Sequence, residues 1–176
     1  IIFSDFRHGI FNNNSVKNFC KNLNKKTLKV ADSQVSNRWG NILDFKNFNL
    51  ILPNEKEARF SLADQDSAVR QLGTKLYRES KSQYLILKLG EKGTLTFRGG
   101  AENPRDFFPI DSFVEELVDG VGAGDALLAA STLSLITSKN ILISSIIGNI
   151  AASLVCEFHG NQAIDLNSLK KRLFEI

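Results

Sequence analysis

Between Asp119 and Asp125 the chain reads Asp-Gly-Val-Gly-Ala-Gly-Asp, then runs from Ala126 to Ser138 with no proline and no further glycine. Three glycines in five positions make a turn poor in Cβ atoms that delivers the backbone into a helix. The first N–H groups of a helix have no partner within it and lie at the positive end of its dipole. Such a turn is a site for an anion. Asp125 places one carboxylate at its mouth, and an anion cradle beside a base is what phosphoryl transfer to an alcohol requires. A plainer reading makes the segment a helix entry, with Asp125 acting only on the dipole. Two other glycine-rich patterns do not fit. A dinucleotide fingerprint started at Gly120 meets Asp125 where Gly or Ala is needed, and no acidic residue follows before Glu157. The P-loop pattern G-x-x-x-x-G-K-[ST] is absent from the sequence.

The elements that must position this turn alternate along the chain. Ile1–Ser4 reads as a strand, and Asn14 as the cap of a helix to about Lys25 with Val16, Phe19, Cys20 and Leu23 on one face. Leu28–Ala31 is the next strand, Trp39–Phe45 an irregular helical piece, and Leu50–Leu52 a strand ended by Pro53-Asn54. Helices are expected at Glu55–Ser61 and Asp66–Ser80, and strands at Tyr84–Leu89 and Thr94–Arg98 joined at Gly90–Gly93. Phe107–Val118 holds one or two more strands, and helices follow at Ala123–Thr137, Ile141–Phe158 and Asn167–Glu175. Gly99–Pro104 reads as a surface turn. The alternation predicts an α/β, Rossmann-like fold: a mostly parallel sheet flanked by helices, with a ligand at its carboxyl edge.

Four motifs in order resemble the ribokinase (PfkB-type) carbohydrate kinases. Asp119–Asp125 is similar to the D-T-x-G-A-G-D signature of that family. Asn54-Glu55-Lys56-Glu57, after an apolar run, resembles its N-x-x-E motif, and Leu87–Gly93 its L-G-x-x-G strand and turn. Gly148-Asn149-Ile150-Ala151-Ala152 resembles the helix that flanks the nucleotide base. The opening Phe3–Gly9 resembles the S-D-Y-x-x-G stretch of heptose-phosphate kinases, as does the tail after Glu157-Phe158-His159-Gly160.

That resemblance implies ATP-dependent phosphorylation of a sugar or sugar-phosphate hydroxyl. It makes Asp125 the catalytic base and the N–H groups of Gly122, Ala123 and Gly124 the anion hole. Mg²⁺ would be held through water by Asn54 and Glu57, although N-x-x-E is equally a helix-capping pattern. Nucleotide contacts fall to Lys88, Gly90, Gly93, Asn149 and Gly160, with a tight hairpin as the other explanation of Gly90 and Gly93. Lys88 stands where relatives carry Thr; it either reaches a phosphate or is solvated. Asp119 is the candidate ligand for a monovalent cation such as K⁺, but Gly120 replaces the signature's Thr and removes a hydroxyl there. Arg7 and Arg38 read as surface arginines with a phosphate on the sugar as the other option. A non-catalytic nucleotide-binding or regulatory module is the alternative function.

The remaining composition sets bounds. A chain of 176 residues is one domain by size, and a net charge of +3 without blocks of like charge gives no nucleic-acid surface. Cys20 and Cys156 stand far apart in apolar helical settings, which suits a reducing, cytoplasmic compartment rather than a disulfide framework. Ile141–Phe158 is nearly free of charge, yet Ser145, Asn149 and Ser153 recur every four residues. We read there a buried helix whose polar line faces a cavity or a neighbouring helix, not a membrane span. The sequence contains no methionine and opens on an apolar, strand-like run. The expectation is therefore the C-terminal half of a longer kinase, truncated at its N-terminus. Its missing N-terminal half would be a partner in the sugar site, and a homodimer is a further expected association.

Overall fold

The computed structural model describes residues 1–34, 41–99, 106–160 and 162–175. The expectations for Arg38, for the start of the piece at Trp39 and for residues 100–104 lie outside them. Six strands form one sheet in chain order: β1 (Ile2–Asp5), β2 (Val30–Ser33), β3 (Leu50–Ile51), β4 (Tyr84–Lys88), β5 (Thr94–Phe97) and β6 (Phe107–Ile110). β1 through β4 pair in parallel, with Phe3 opposite Ala31, Ala31 opposite Ile51, and Leu50 opposite Tyr84. Between them run the helices α1 (Asn13–Lys21), α2 (Glu55–Leu62) and α3 (Val69–Ser80), followed late in the chain by α4 (Ala123–Ser138), α5 (Ile141–Cys156) and α6 (Leu166–Glu175). The α/β, mostly parallel architecture expected from the alternation is the one observed.

Two compact units divide the chain, Ile1–Lys88 with Leu95–Phe108, and Leu89–Thr94 with Pro109–Ile176. In the first, the central strands are apolar without alternation because both faces are covered: Val30, Leu50, Ile51, Leu85, Ile86 and Leu87 are fully buried. Phe3, Phe45 and Phe48 meet at 5.2–5.9 Å between ring centroids beneath β1. α3 buries Leu72, Leu76 and Tyr77, while Val69 at its start is only half-buried. In the second unit α4 and α5 form a helical hairpin in which Lys139 turns left-handed and Asn140 caps α5 through the N–H groups of Leu142 and Ile143. Gly148 lets the helices close, since a Cβ there would overlap Ser131 Oγ. Among the described residues no helix is long and apolar enough to cross a membrane.

Several boundaries differ for identifiable reasons. α1 starts at Asn13, capped by Asn12 rather than Asn14, and ends at Lys21: Asn12 Oδ1 accepts from Asn14 and Ser15 N–H while Ser15 Oγ accepts from Asn12 N–H. Phe19 stays half exposed on that helix. α3 starts at Val69 because Asp64 first takes the N–H and hydroxyl of Ser67 into a turn. β2 lies two residues later than the apolar run suggests, ending in buried Asp32 and Ser33. One strand, Phe107–Ile110, occupies the start of the Phe107–Val118 stretch. The polar line of α5 is buried and faces Thr94 rather than a cavity: Asn149 Nδ2 donates to Thr94 Oγ1 at 2.9 Å and to Ser145 O at 2.7 Å.

β1 ends the sheet, with Ile1 53% and Ile2 43% exposed. An uncovered apolar edge strand invites pairing with another chain. We expect the 176-residue chain alone to self-associate, and Ile2→Lys to reduce that association in sedimentation velocity; a wild-type chain that stays monomeric at high concentration contradicts this.

Candidate active site

The glycine turn lies in the second unit and delivers the chain into α4, as its composition predicts. Gly122 sits at φ 85° as the N-cap of α4, a conformation that costs an L-residue strain, and no side chain caps the helix there. The open first turn therefore offers N–H groups to an outside acceptor. Ala123 is the exception, since its N–H already reaches Gly120 O at 3.3 Å. Asp125 stands half-buried in that first turn. Among the described residues no ion pair or side-chain hydrogen bond engages its carboxylate, so it is neither a cap nor half of a salt bridge.

Asp119 anchors the turn from the other side. Its Oδ1 accepts from Val121 N–H and its Oδ2 from Gly160 N–H, both at 3.0 Å, and these bonds hold the carboxyl below the usual range. Gly160, at φ 73°, is thus tied to the loop rather than standing alone after α5. Each Asp119 oxygen thus holds one loop N–H, and Gly120 offers no hydroxyl beside it. Behind the loop, Cys156 O accepts from Val118 and Asp119 N–H at 2.8 and 3.0 Å.

Gly90 and Gly93 close the turn after β4, with Leu89 N–H donating to Gly93 O at 2.9 Å and Gly93 N–H to Gly90 O at 3.0 Å. At φ 77° a Cβ on Gly93 would overlap the carbonyl oxygen of Ile110 and crowd Asp111 and Ser112, so close backbone approach explains this glycine.

In the first unit, Asn54 and Lys88 are neighbours in a parallel bridge at the carboxyl ends of β3 and β4. Asn54 caps α2, and its motif forms a capping box. Glu57 N–H donates to Asn54 Oδ1 at 2.9 Å, while Glu57 accepts from Asn54 N–H and Nδ2, each at 2.7 Å. Glu57 is 2% exposed. Carboxylate and amide oxygens are the donors Mg²⁺ takes through water, so the chemistry of the pair suits that ion. No group of three or more His, Cys, Asp or Glu residues could hold a metal ion directly among the described residues.

Lys88 is neither solvated nor idle: its Nζ donates to Asp32 Oδ2 at 2.7 Å. Arg7 is not a surface arginine. It is 7% exposed at φ 61°, its Nε lies 3.1 Å from Asp5 Oδ2, and its Nη2 donates to Ser33 Oγ at 2.7 Å. The sequence reading missed Asp5 and Asp32; each is a lone acid ending an apolar strand, a signal that was available. It also missed Arg172 and Glu157, which nothing in the local pattern marks.

The sequence profile of the pfkB family carbohydrate kinases matches residues 14–168. Bifunctional protein HldE of a Nitratiruptor species is 31% identical over 114 residues, 63% of this chain and 23% of that protein. Bifunctional protein HldE of Campylobacter curvus is 24% identical over 176 residues, 98% of this chain and 36% of that protein. The chain thus spans only about a quarter to a third of these relatives. Among solved structures, ribokinase from Thermotoga maritima superposes with a TM-score of 0.78 at 20% identity, over 98% of this chain and 56% of that one. Phosphofructokinase-2 from Escherichia coli, in complex with potassium, reaches 0.68 at 20% identity over 83% and 47%. These similarities, with the open helix start at Gly122–Asp125, place the chain in the pfkB family of carbohydrate kinases.

Proposed function

We propose that the chain carries the catalytic base, the anion hole and the nucleotide site of an enzyme that transfers the γ-phosphoryl of ATP to a sugar or sugar-phosphate hydroxyl. One observation carries this reading: a carboxylate with no side-chain partner among the described residues, beside a helix start that no side chain caps. Asp125 takes the proton of the attacking hydroxyl, a poor nucleophile at neutral pH. Such a base contributes roughly 10²–10⁴ in rate. N–H groups of Gly122, Gly124 and, once released from Gly120, Ala123 hold the equatorial oxygens as charge builds on them. Lys88, Gly90, Gly93, Asn149 and Gly160 shape the nucleotide side. For Asn149 the role is to fix α5 through Thr94, since both amide protons are engaged.

Mg²⁺ bound near Asn54 and Glu57 would neutralise phosphate charge. Asn54 and Glu57 hold each other rigidly enough to order its water shell. Residues beyond these 176 complete the sugar site, a reading supported by the greater length of the relatives. We assign the enzyme to the cytoplasm, with ATP and a sugar or sugar phosphate as its partners.

Glu57→Gln separates the metal role from the cap. Gln still accepts from Asn54 N–H but turns its own amide toward Asn54 Nδ2, so we expect a loss of stability of about 1–3 kcal/mol. Turnover should fall and recover in part at higher Mg²⁺. A loss that Mg²⁺ does not touch would leave Glu57 a capping residue only. The reading as a whole is tested by calorimetric titration of Mg-ATP followed by assay against sugars and sugar phosphates; an absence of nucleotide binding contradicts it.

A further inference from the structure

On the kinase reading proposed above, we infer that Arg172, far along the chain in α6, is a positioning residue for the anion loop and acts through Glu157. Arg172 is buried to 9% exposure, unusual for an arginine on an outlying helix. Its Nη1 and Nη2 donate to the two oxygens of Glu157 at 2.9 and 2.7 Å, a bidentate pair of fixed geometry. The same Nη1 reaches Phe113 O at 3.3 Å, and Glu157 Oε1 accepts from Glu115 N–H at 3.3 Å. The pair holds the Glu157 carboxyl low and the Arg172 guanidinium high, each through the other's hydrogen bonds.

The consequence lies in what these bonds span. Residues 111–118, between β6 and the glycine turn, form neither helix nor strand, so they have no ladder to fix them. They are instead pinned in series to the end of α5: Phe113 by Arg172, Glu115 by Glu157, and Val118 and Asp119 by Cys156 O. Asp119 then carries the constraint forward to Val121 and Gly160. Glu157 follows Cys156 directly, so the ion pair fixes the carbonyl on which the loop entrance hangs. Asp125 and its N–H neighbours must be held to a fraction of an ångström for in-line transfer. The Arg172–Glu157 pair supplies that hold where secondary structure does not.

The test uses Arg172→Met and Arg172→Lys in the protein at its full natural length. Amide hydrogen exchange at Val121 and Gly160 should accelerate at least tenfold in Arg172→Met relative to Leu128, which sits in the body of α4. Turnover should fall about tenfold with KM for Mg-ATP within threefold, the pattern of lost transition-state positioning. Lys, able to reach one Glu157 oxygen at a time, should restore part of both; if the Met variant does not fold, Lys alone is read, with about threefold effects. Exchange that is unchanged, or that rises equally at Leu128, overturns the inference, as does a loosened loop with normal turnover. Should the wild-type protein phosphorylate nothing, the kinase reading fails while the exchange comparison still decides whether Arg172 braces the loop.

Discussion

Asp125→Asn should lower turnover in the full-length enzyme by roughly 10²–10⁴ while leaving Mg-ATP affinity within a few-fold. The two effects separate because the proposed anion hole is backbone and the proposed metal contacts, Asn54 and Glu57, are other residues. Asn keeps the size and dipole of the side chain but accepts no proton. It also removes a charge from the first turn of α4, which costs stability on the order of 0.3–1 kcal/mol through the dipole. A variant with normal turnover and only that small stability loss would make Asp125 a helix-entry residue. Steady-state kinetics beside a melting curve decides between them.

The second large effect is structural. Gly93→Ala should destabilise the chain by more than about 3 kcal/mol, the sum of a strained conformation and an overlap with backbone that cannot move aside. Gly93 combines φ 77° and ψ −129° with the carbonyl of Ile110 standing where a Cβ would go, and Asp111 and Ser112 close behind. Gly90, three residues earlier, is also left-handed at φ 63° but meets nothing within 4 Å. Gly90→Ala should therefore cost only about 1–2 kcal/mol. Urea unfolding of both variants measures the difference; equal midpoints would show that the crowding at Ile110 relaxes freely.

How much of this was legible in the sequence depends on how local each signal is. The turn at Gly120–Gly124 and the helix after it were readable because glycine spacing and a long Ala/Leu run act over a few residues. The parallel sheet was readable because strands alternate with helices along the chain, and such crossovers return each strand parallel to the last. Where three asparagines stand together at 12–14, any could have capped α1; the choice fell to Asn12 because Ser15 alone returns a hydroxyl to it. β2 extends to Asp32 and Ser33 against the hydropathy pattern because Lys88, at the end of β4, and Arg7, just after β1, reach them. Arg7 was read as a surface residue for the converse reason: its partner Ser33 meets it only once β1 and β2 pair. The bond between Glu157 and Arg172 spans a turn and a helix start and follows no periodicity.

The N-x-x-E motif shows a different limit. Its sequence supports a capping box and a metal site equally, and the capping box is formed. The two uses are compatible, since an acid held rigidly by a cap is a better ligand for an ordered water shell than a free one. Only a variant that keeps the cap and loses the charge distinguishes them.

The most direct measurement is a crystal structure of the chain grown with Mg-ADP. A terminal phosphate oxygen within hydrogen-bond distance of the N–H groups between Gly122 and Asp125, with the Asp125 carboxylate facing the space beyond it, is the predicted result. A nucleotide bound elsewhere, with those N–H groups closed onto the protein and Asp125 folded back onto its own helix, would contradict it.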